Sequence, residues 1–434
     1  MNNRTFSKLI ISELILLFIA TTFISDSPPP GWYQQSLPVN DFITDIYFVD
    51  ITTGWVLTQG KQSTNDTSYI FKTTNGGINW ITQFARTLEM NVIQFTDQNT
   101  GYAAGGSGSG TSKMFKTTNG GLNWQLIIDG LLTIRFDDIY FVNKDTGWVS
   151  CNSVVFGGLW KTTDGAQSWT EQLNQFYQPY RMSFINKDTG WVAGNNSTYN
   201  ILRTTNGGEN WNLIYTENTT TIPESIFFLN GLNGWARGGT GNGVIYTTNG
   251  GFNWANAIGN TSAGFDMKFI NNTVGYSGMQ SYRIPKSTDG GKTWGYQISP
   301  IQNNMAIHNF RNDTLHSWAG GTGLVKTTDG GGTIISDVKQ ISSRVPNDYK
   351  LYQNYPNPFN PSTTIKFDIK KTSLIKLKVF DITGKEIAVL ADEKKTAGTY
   401  ELTYTAVNIS SGIYFYSLFI DGIIADTKKM LMLK

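Results

Sequence analysis

The segment Thr73-Thr74-Asn75-Gly76-Gly77-Ile78-Asn79-Trp80 returns at residues 117–124, 162–169, 204–211, 247–254 and 287–294, and in altered form at 327–334, where Ile334 stands in place of Trp. Successive copies start 44, 45, 42, 43, 40 and 40 residues apart. A second motif, Phe followed six residues later by Gly-Trp or Gly-Tyr, keeps the same beat at Phe48, Phe95, Phe141, Phe184, Phe228 and Phe269, with Phe310 and Trp318 as an imperfect seventh. A period of about 40–45 residues is one four-stranded blade. The count predicts an all-β chain beginning with a seven-bladed β-propeller.

Each repeat holds four short apolar runs bounded by Gly, Asn or Asp; in the first copy they are residues 45–49, 54–57, 69–72 and 80–83. The Thr-x-Asn/Asp-Gly-Gly-x-x-Trp turn joins the third run to the fourth. Asn75, Asn119, Asp164, Asn206, Asn249, Asp289 and Asp329 are expected to bond the turn's own backbone, while the Gly pair supplies positive φ and the Trp covers the hairpin. These seven residues are therefore read as structural.

No fourth run follows the seventh copy, yet Trp32-Tyr33-Gln34-Gln35-Ser36 resembles a fourth strand without its turn. Trp32 lies 16 residues before Phe48, and the spacing from turn Trp to the next Phe inside the array is 15 to 17. The N-terminal strand is expected to complete the last blade and remove an open sheet edge.

Composition excludes much chemistry. His308, His316 and Cys151 are the only residues of their kinds, too few for a zinc site built on Cys and His or for an intrachain disulfide. Cys151 is expected to be a small buried apolar residue. Residues 26–335 hold 18 basic and 21 acidic side chains, which is not the balance of a nucleic-acid binder. No metal or cofactor is expected, and no catalytic set stands out. Arg4 and Lys8 precede an apolar run, Leu9 to Ile24, broken by Glu13 and shorter than the roughly 20 residues of a membrane span. Residues 1–25 are expected to be a signal peptide, leaving no membrane span after cleavage.

The turns resemble the Asp-box, or BNR, repeat. Together with Phe-x5-Gly-Trp they resemble the photosystem II assembly-factor propellers, over about residues 31–335 of an expected propeller domain, 26–335. After an expected linker, 336–347, the segment Tyr352-Gln-Asn-Tyr-Pro-Asn-Pro-Phe-Asn-Pro opens a second unit, 348–434, whose alternating runs and turns at Thr383-Gly384 and Asp421-Gly422 predict a small antiparallel β-sandwich. This unit resembles the type A C-terminal sorting domain of the type IX secretion system. The resemblance implies the type IX machinery as a partner and a secreted or outer-membrane surface location in a Gram-negative bacterium.

The function expected is a binding or scaffold module that meets an extracellular protein or glycan through the propeller face opposite the turns, where loop sequences vary. Tyr177, Tyr180 and Arg181 are candidate contacts because aromatic and Arg side chains carry binding energy disproportionately, with Asp138 and Asp266 in comparable positions on other blades. The alternative is an Asp-box glycoside hydrolase, sialidase-like or xyloglucanase-like, whose mark would be two converging carboxylates with raised pKa.

Overall fold

The computed structural model describes residues 31–433 apart from 60–66, 107–111, 130–135, 152–157, 175–177, 196, 220, 238–242, 260–265, 305, 333, 337 and 407–408. Seven antiparallel blades are present. Blade 1 is ordered Phe42–Phe48, Gly54–Gln59, Ser68–Thr73, Ile81–Arg86 from the axis outward. Blades 2 to 6 begin with the inner strands Val92–Phe95, Phe136–Phe141, Pro179–Phe184, Ser225–Phe228 and Met267–Phe269. Blade 7 comprises Ala306–Asn309, Ser317–Gly320 and Leu324–Thr327, and its outer strand is Tyr33–Gln35 from the opposite end of the chain.

The Phe-x5-Gly-Trp motif is the seam between blades. Trp55 of blade 1 stacks on Phe95 of blade 2 at 3.5 Å, and the same pairing joins Trp191 to Phe228 at 3.6 Å and Trp318 of blade 7 to Phe48 of blade 1 at 3.9 Å. Glycine follows from this packing. A Cβ on Gly101 would sit 2.5 Å from the Phe95 ring of its own blade, and one on Gly190 would sit 2.2 Å from Phe184. In blade 7 both partners change together: Asn309 pairs with Ser317 at the positions held elsewhere by Phe and Gly. Phe310, expected as the seventh anchor, lies one residue beyond and meets Trp318 edge-on at 5.8 Å.

The turns are hydrogen-bonded as their composition predicts. Thr73 Oγ1 accepts the Gly77 N–H at 2.9 Å and donates to Asn75 Oδ1, which also accepts the Asn79 N–H. Gly76 and Gly77 have φ of 67° and 92°. A link absent from the sequence reading joins the turns into a hoop: Lys72 Nζ donates to Gly120 O in the next blade at 2.9 Å, Lys116 to Gly165 O, Lys161 to Gly207 O and Lys286 to Gly330 O. At the two seams without such a lysine, Trp191 Nε1 donates to Gly250 O and Trp235 Nε1 to Gly290 O, and Lys326 of blade 7 donates to Gly76 O of blade 1 at 3.0 Å to complete the circle.

The C-terminal region is a sandwich of two antiparallel sheets. One contains Ser362–Ile369 and Gly398–Thr405, the other Ser373–Phe380, Glu386–Lys395, Gly412–Ile420 and Ile423–Met432. Ile365, Phe367, Ile375, Leu377, Tyr416 and Leu418 fill the space between them. Residues 336–347, expected as a linker, contain the strand Lys339–Ser342, which pairs with Gly398–Thr405. The expected signal peptide lies outside the described residues. No helix among the described residues is long and apolar enough to cross a membrane.

Candidate functional site

The seven inner strands surround an axial cavity of about 710 Å³. Side chains alternate along a strand, so each inner strand directs every second residue the same way. Two rings result. One is Asp45, Val92, Asp138, Arg181, Ser225, Asp266 and Ala306, three residues before the anchor position; the other is Tyr47, Gln94, Tyr140, Ser183, Phe227, Lys268 and His308, one residue before it. Asn91, Asp137 and Glu224 line the same cavity.

An innermost strand has a free edge whose N–H groups need partners. At six of the seven seams, among the described residues, a ring residue of the preceding blade reaches this edge. Asp45 Oδ2 accepts the Ile93 N–H at 2.8 Å, Asp138 Oδ2 the Met182 N–H at 2.9 Å and Asp266 Oδ2 the Ile307 N–H at 3.0 Å. The other ring repeats the device, with Gln94 Oε1 accepting the Phe141 N–H, Ser183 Oγ the Phe228 N–H and His308 Nε2 the Phe48 N–H.

Charge in the channel follows from this burial. The Asp45 carboxyl is pushed up to about 7, first by burial, against the hydrogen bond from Ile93. Asp138 rises to about 6 by burial, opposed chiefly by Arg181. Lys268 ion-pairs with Asp266 at 3.1 Å. Burial depresses its ammonium, but Asp266, Asp45 and Asp138 outweigh that and hold it above the ordinary Lys value. Its side chain keeps 39% of its surface because it faces the channel, so water there screens part of this field. His308 is lowered to about 4 by burial, with Lys268 adding, and stays neutral to accept from Phe48.

Of the residues expected from sequence, Asp138, Arg181 and Asp266 line the one cavity. Arg181 is already engaged: its guanidinium donates to the carbonyls of Asp137, Tyr180 and Glu224. Tyr180 sits at the bulge between Pro179 and Arg181 and does not line the channel. Tyr177 lies outside the described residues, as does part of the loop sequence expected to vary. Sequence reasoning missed Asp45, Lys268 and His308. Their common position relative to the Phe anchors was a usable signal. Cys151 is buried, and burial pushes its thiol well up. Among the described residues no group of three or more His, Cys, Asp or Glu side chains is placed to hold a metal ion.

Residues 127–265 match the family model of the photosynthesis system II assembly factor YCF48, and residues 353–432 match that of the secretion system C-terminal sorting domain. The chain thus joins a propeller similar to YCF48 to a C-terminal region similar to the secretion sorting domain. The YCF48-like part superposes on YCF48 bound to D1 peptide with a TM-score of 0.54 and 20% identity, covering 70% of this chain and 98% of that one. YCF48 from Cyanidioschyzon merolae gives 0.53 and 17%, covering 68% and 98%. At these identities the likeness is one of fold. No curated protein matches the chain in sequence. The sorting domain marks a protein secreted from, or attached to the surface of, a Gram-negative bacterium.

Proposed function

We propose that the propeller is an extracellular binding module whose axial channel receives a segment of another protein. The observation that carries this reading is the cavity of about 710 Å³ lined from all seven blades, in which Asp45 and Asp138 stand on one arc and Arg181, with the Lys268–Asp266 pair, on another. Charges of both signs beside Tyr47, Tyr140 and Phe227 suit a polypeptide, which carries charge and rings, better than a neutral glycan. A propeller of similar fold has been solved with a peptide bound. The fine specificity belongs to Arg181, Asp138, Asp266 and Lys268.

A second reading, glycoside hydrolysis, is favoured by one observation: Asp45 and Asp138 are two carboxyls in one cavity with raised pKa. Against it, Asp45 accepts backbone N–H groups on both oxygens, from Ile46 and Ile93, and Asp138 accepts from Met182. Those bonds commit one oxygen of each carboxylate to a seam between blades.

The test is a peptide array and a glycan array probed with the full chain, beside a glycosidase panel. Peptide capture that falls at least tenfold in Lys268→Gln, and is retained in the turn variant Asn75→Ala, supports the channel reading. Capture of glycans alone, turnover in the panel, or peptide affinity unmoved by Lys268→Gln counts against it.

A further inference from the structure

The outer strand of blade 6, Thr293–Ile298, is built unlike its counterparts. In blade 1 the outer strand Ile81–Arg86 is mostly exposed, whereas Tyr296 and Gln297 are 1% and 0% exposed. The residue after the turn Trp is Ile81, Gln125, Thr170, Asn212 and Ala255 in blades 1 to 5, and Gly295 in blade 6. A Cβ there would lie 2.4 Å from Ile334 Cγ2 and 2.9 Å from the Ile335 carbonyl oxygen. Glycine thus clears a berth for the chain that leaves the propeller.

That chain is occupied on both sides. Tyr296 pairs with Ile335, while Ile334 and Ile335 pair with Thr405 and Tyr404 of the sandwich. Ser336 N–H donates to Thr403 O, Thr403 N–H donates to Ser336 Oγ, and Lys339–Ser342 continues along Thr399–Glu401. Tyr296, Ile335 and Val338 are buried within the sandwich core itself, beside Leu402 and Tyr404. Residues 343–348, which follow, form no strand and are mostly exposed.

We propose that residues 334–342, held to blade 6 through Ile334 and Ile335, are a non-covalent dock for the sorting sandwich, so that cutting the chain within 343–348 leaves the sandwich bound to the propeller. The dock supplies the missing edge strand to Gly398–Thr405 and shares its apolar core. Release then requires a second event that pulls the edge strand away, and the cut alone does not produce it. The occupant is this chain's own residues 349–433.

The test inserts the recognition sequence of a site-specific protease after Arg344 in the full chain, cuts it under native conditions, and runs gel filtration at about 1 μM, where pairs with Kd well below that value stay together. The two fragments are expected to co-elute at the mass of the uncut protein. In Ile335→Asp, shown to be folded before cutting by circular dichroism and a cooperative melt, they are expected to separate, with affinity at least tenfold weaker. Val338→Asp gives the same reading should Ile335→Asp not fold. Separation of the wild-type fragments, or co-elution in the Asp variants, overturns the proposal.

Discussion

Gly31 donates its backbone N–H to the Asp329 carboxylate at 2.9 Å, although the two residues are 298 positions apart. In blade 1 the equivalent bond is local, from Asn79 N–H to Asn75 Oδ1. The seventh turn is therefore assembled from both ends of the array, with Trp32 taking the place of the turn Trp and donating from Nε1 to Gln297 Oε1 at 2.9 Å. Because this closure rests on one buried ring and three residues of strand, Trp32→Ala should cost about 3–5 kcal/mol, the usual range for a large buried aromatic. Chemical denaturation of the full chain measures it, and an unchanged midpoint would show that the ring closes by other means.

The packing of Phe against Gly predicts a coupled pair. Gly101→Ala places a methyl 2.5 Å from the Phe95 ring, which is clamped by Trp55 at 3.5 Å and cannot move aside. The single change should cost on the order of 1–3 kcal/mol. In a Phe95→Leu background, where the ring is gone, the same change should cost less. Additive losses in the double-mutant cycle would contradict the contact.

Two channel groups predict opposite pH slopes. Asp45 has a folded pKa of about 7, above its ordinary 3.8, so the folded state binds more protons in between and stability falls as pH rises through that window. His308 is lowered from 6.5 to about 4, so its contribution is lost as pH falls through the same range. Relative to wild type, Asp45→Asn should lose stability from pH 6.5 toward 4.5, with Asp138, raised to about 6, contributing the same acid-side gain to both proteins. His308→Gln, whose amide oxygen can still accept from Phe48, should gain stability over that interval. Urea midpoints at several pH values decide; slopes parallel to wild type in both variants would refute the assignment.

Arg181 is expected to matter for stability as well as for binding. Truncating it to Ala removes the donor to three carbonyls, those of Asp137, Tyr180 and Glu224, around blades 3 to 5. Leaving such acceptors unpaired costs about 1–3 kcal/mol each when water cannot reach them. A lowered melting temperature is predicted. A melt identical to wild type would mean that channel water replaces the guanidinium.

Deleting residues 353–432 should keep the protein from the surface and medium of a host with the secretion system, as cell fractionation would show. The deletion also uncovers Tyr296, Ile335 and Val338, so the trapped propeller should be less soluble than the full chain. Normal export of the deleted form would deny the domain its sorting role.

Sequence alone determined the number of blades, the order and approximate places of their strands and the turn chemistry, because these depend on local spacing: Thr73 reaches Gly77, and Phe48 reaches Gly54, within one hairpin. It also marked Trp32 as a displaced strand, since the interval to Phe48 keeps the repeat's beat. Only the tertiary structure decided which polar side chains share the axis. Asp45 meets Ile93, and Ser183 meets Phe228, across a seam that no local pattern specifies, and the bulge at Tyr180 turns that ring away while Arg181 points in. The role of Gly295 was hidden for the same reason. A glycine is informative only through what occupies the space it leaves, and Ile334 arrives there from 39 residues downstream after the last blade has been built.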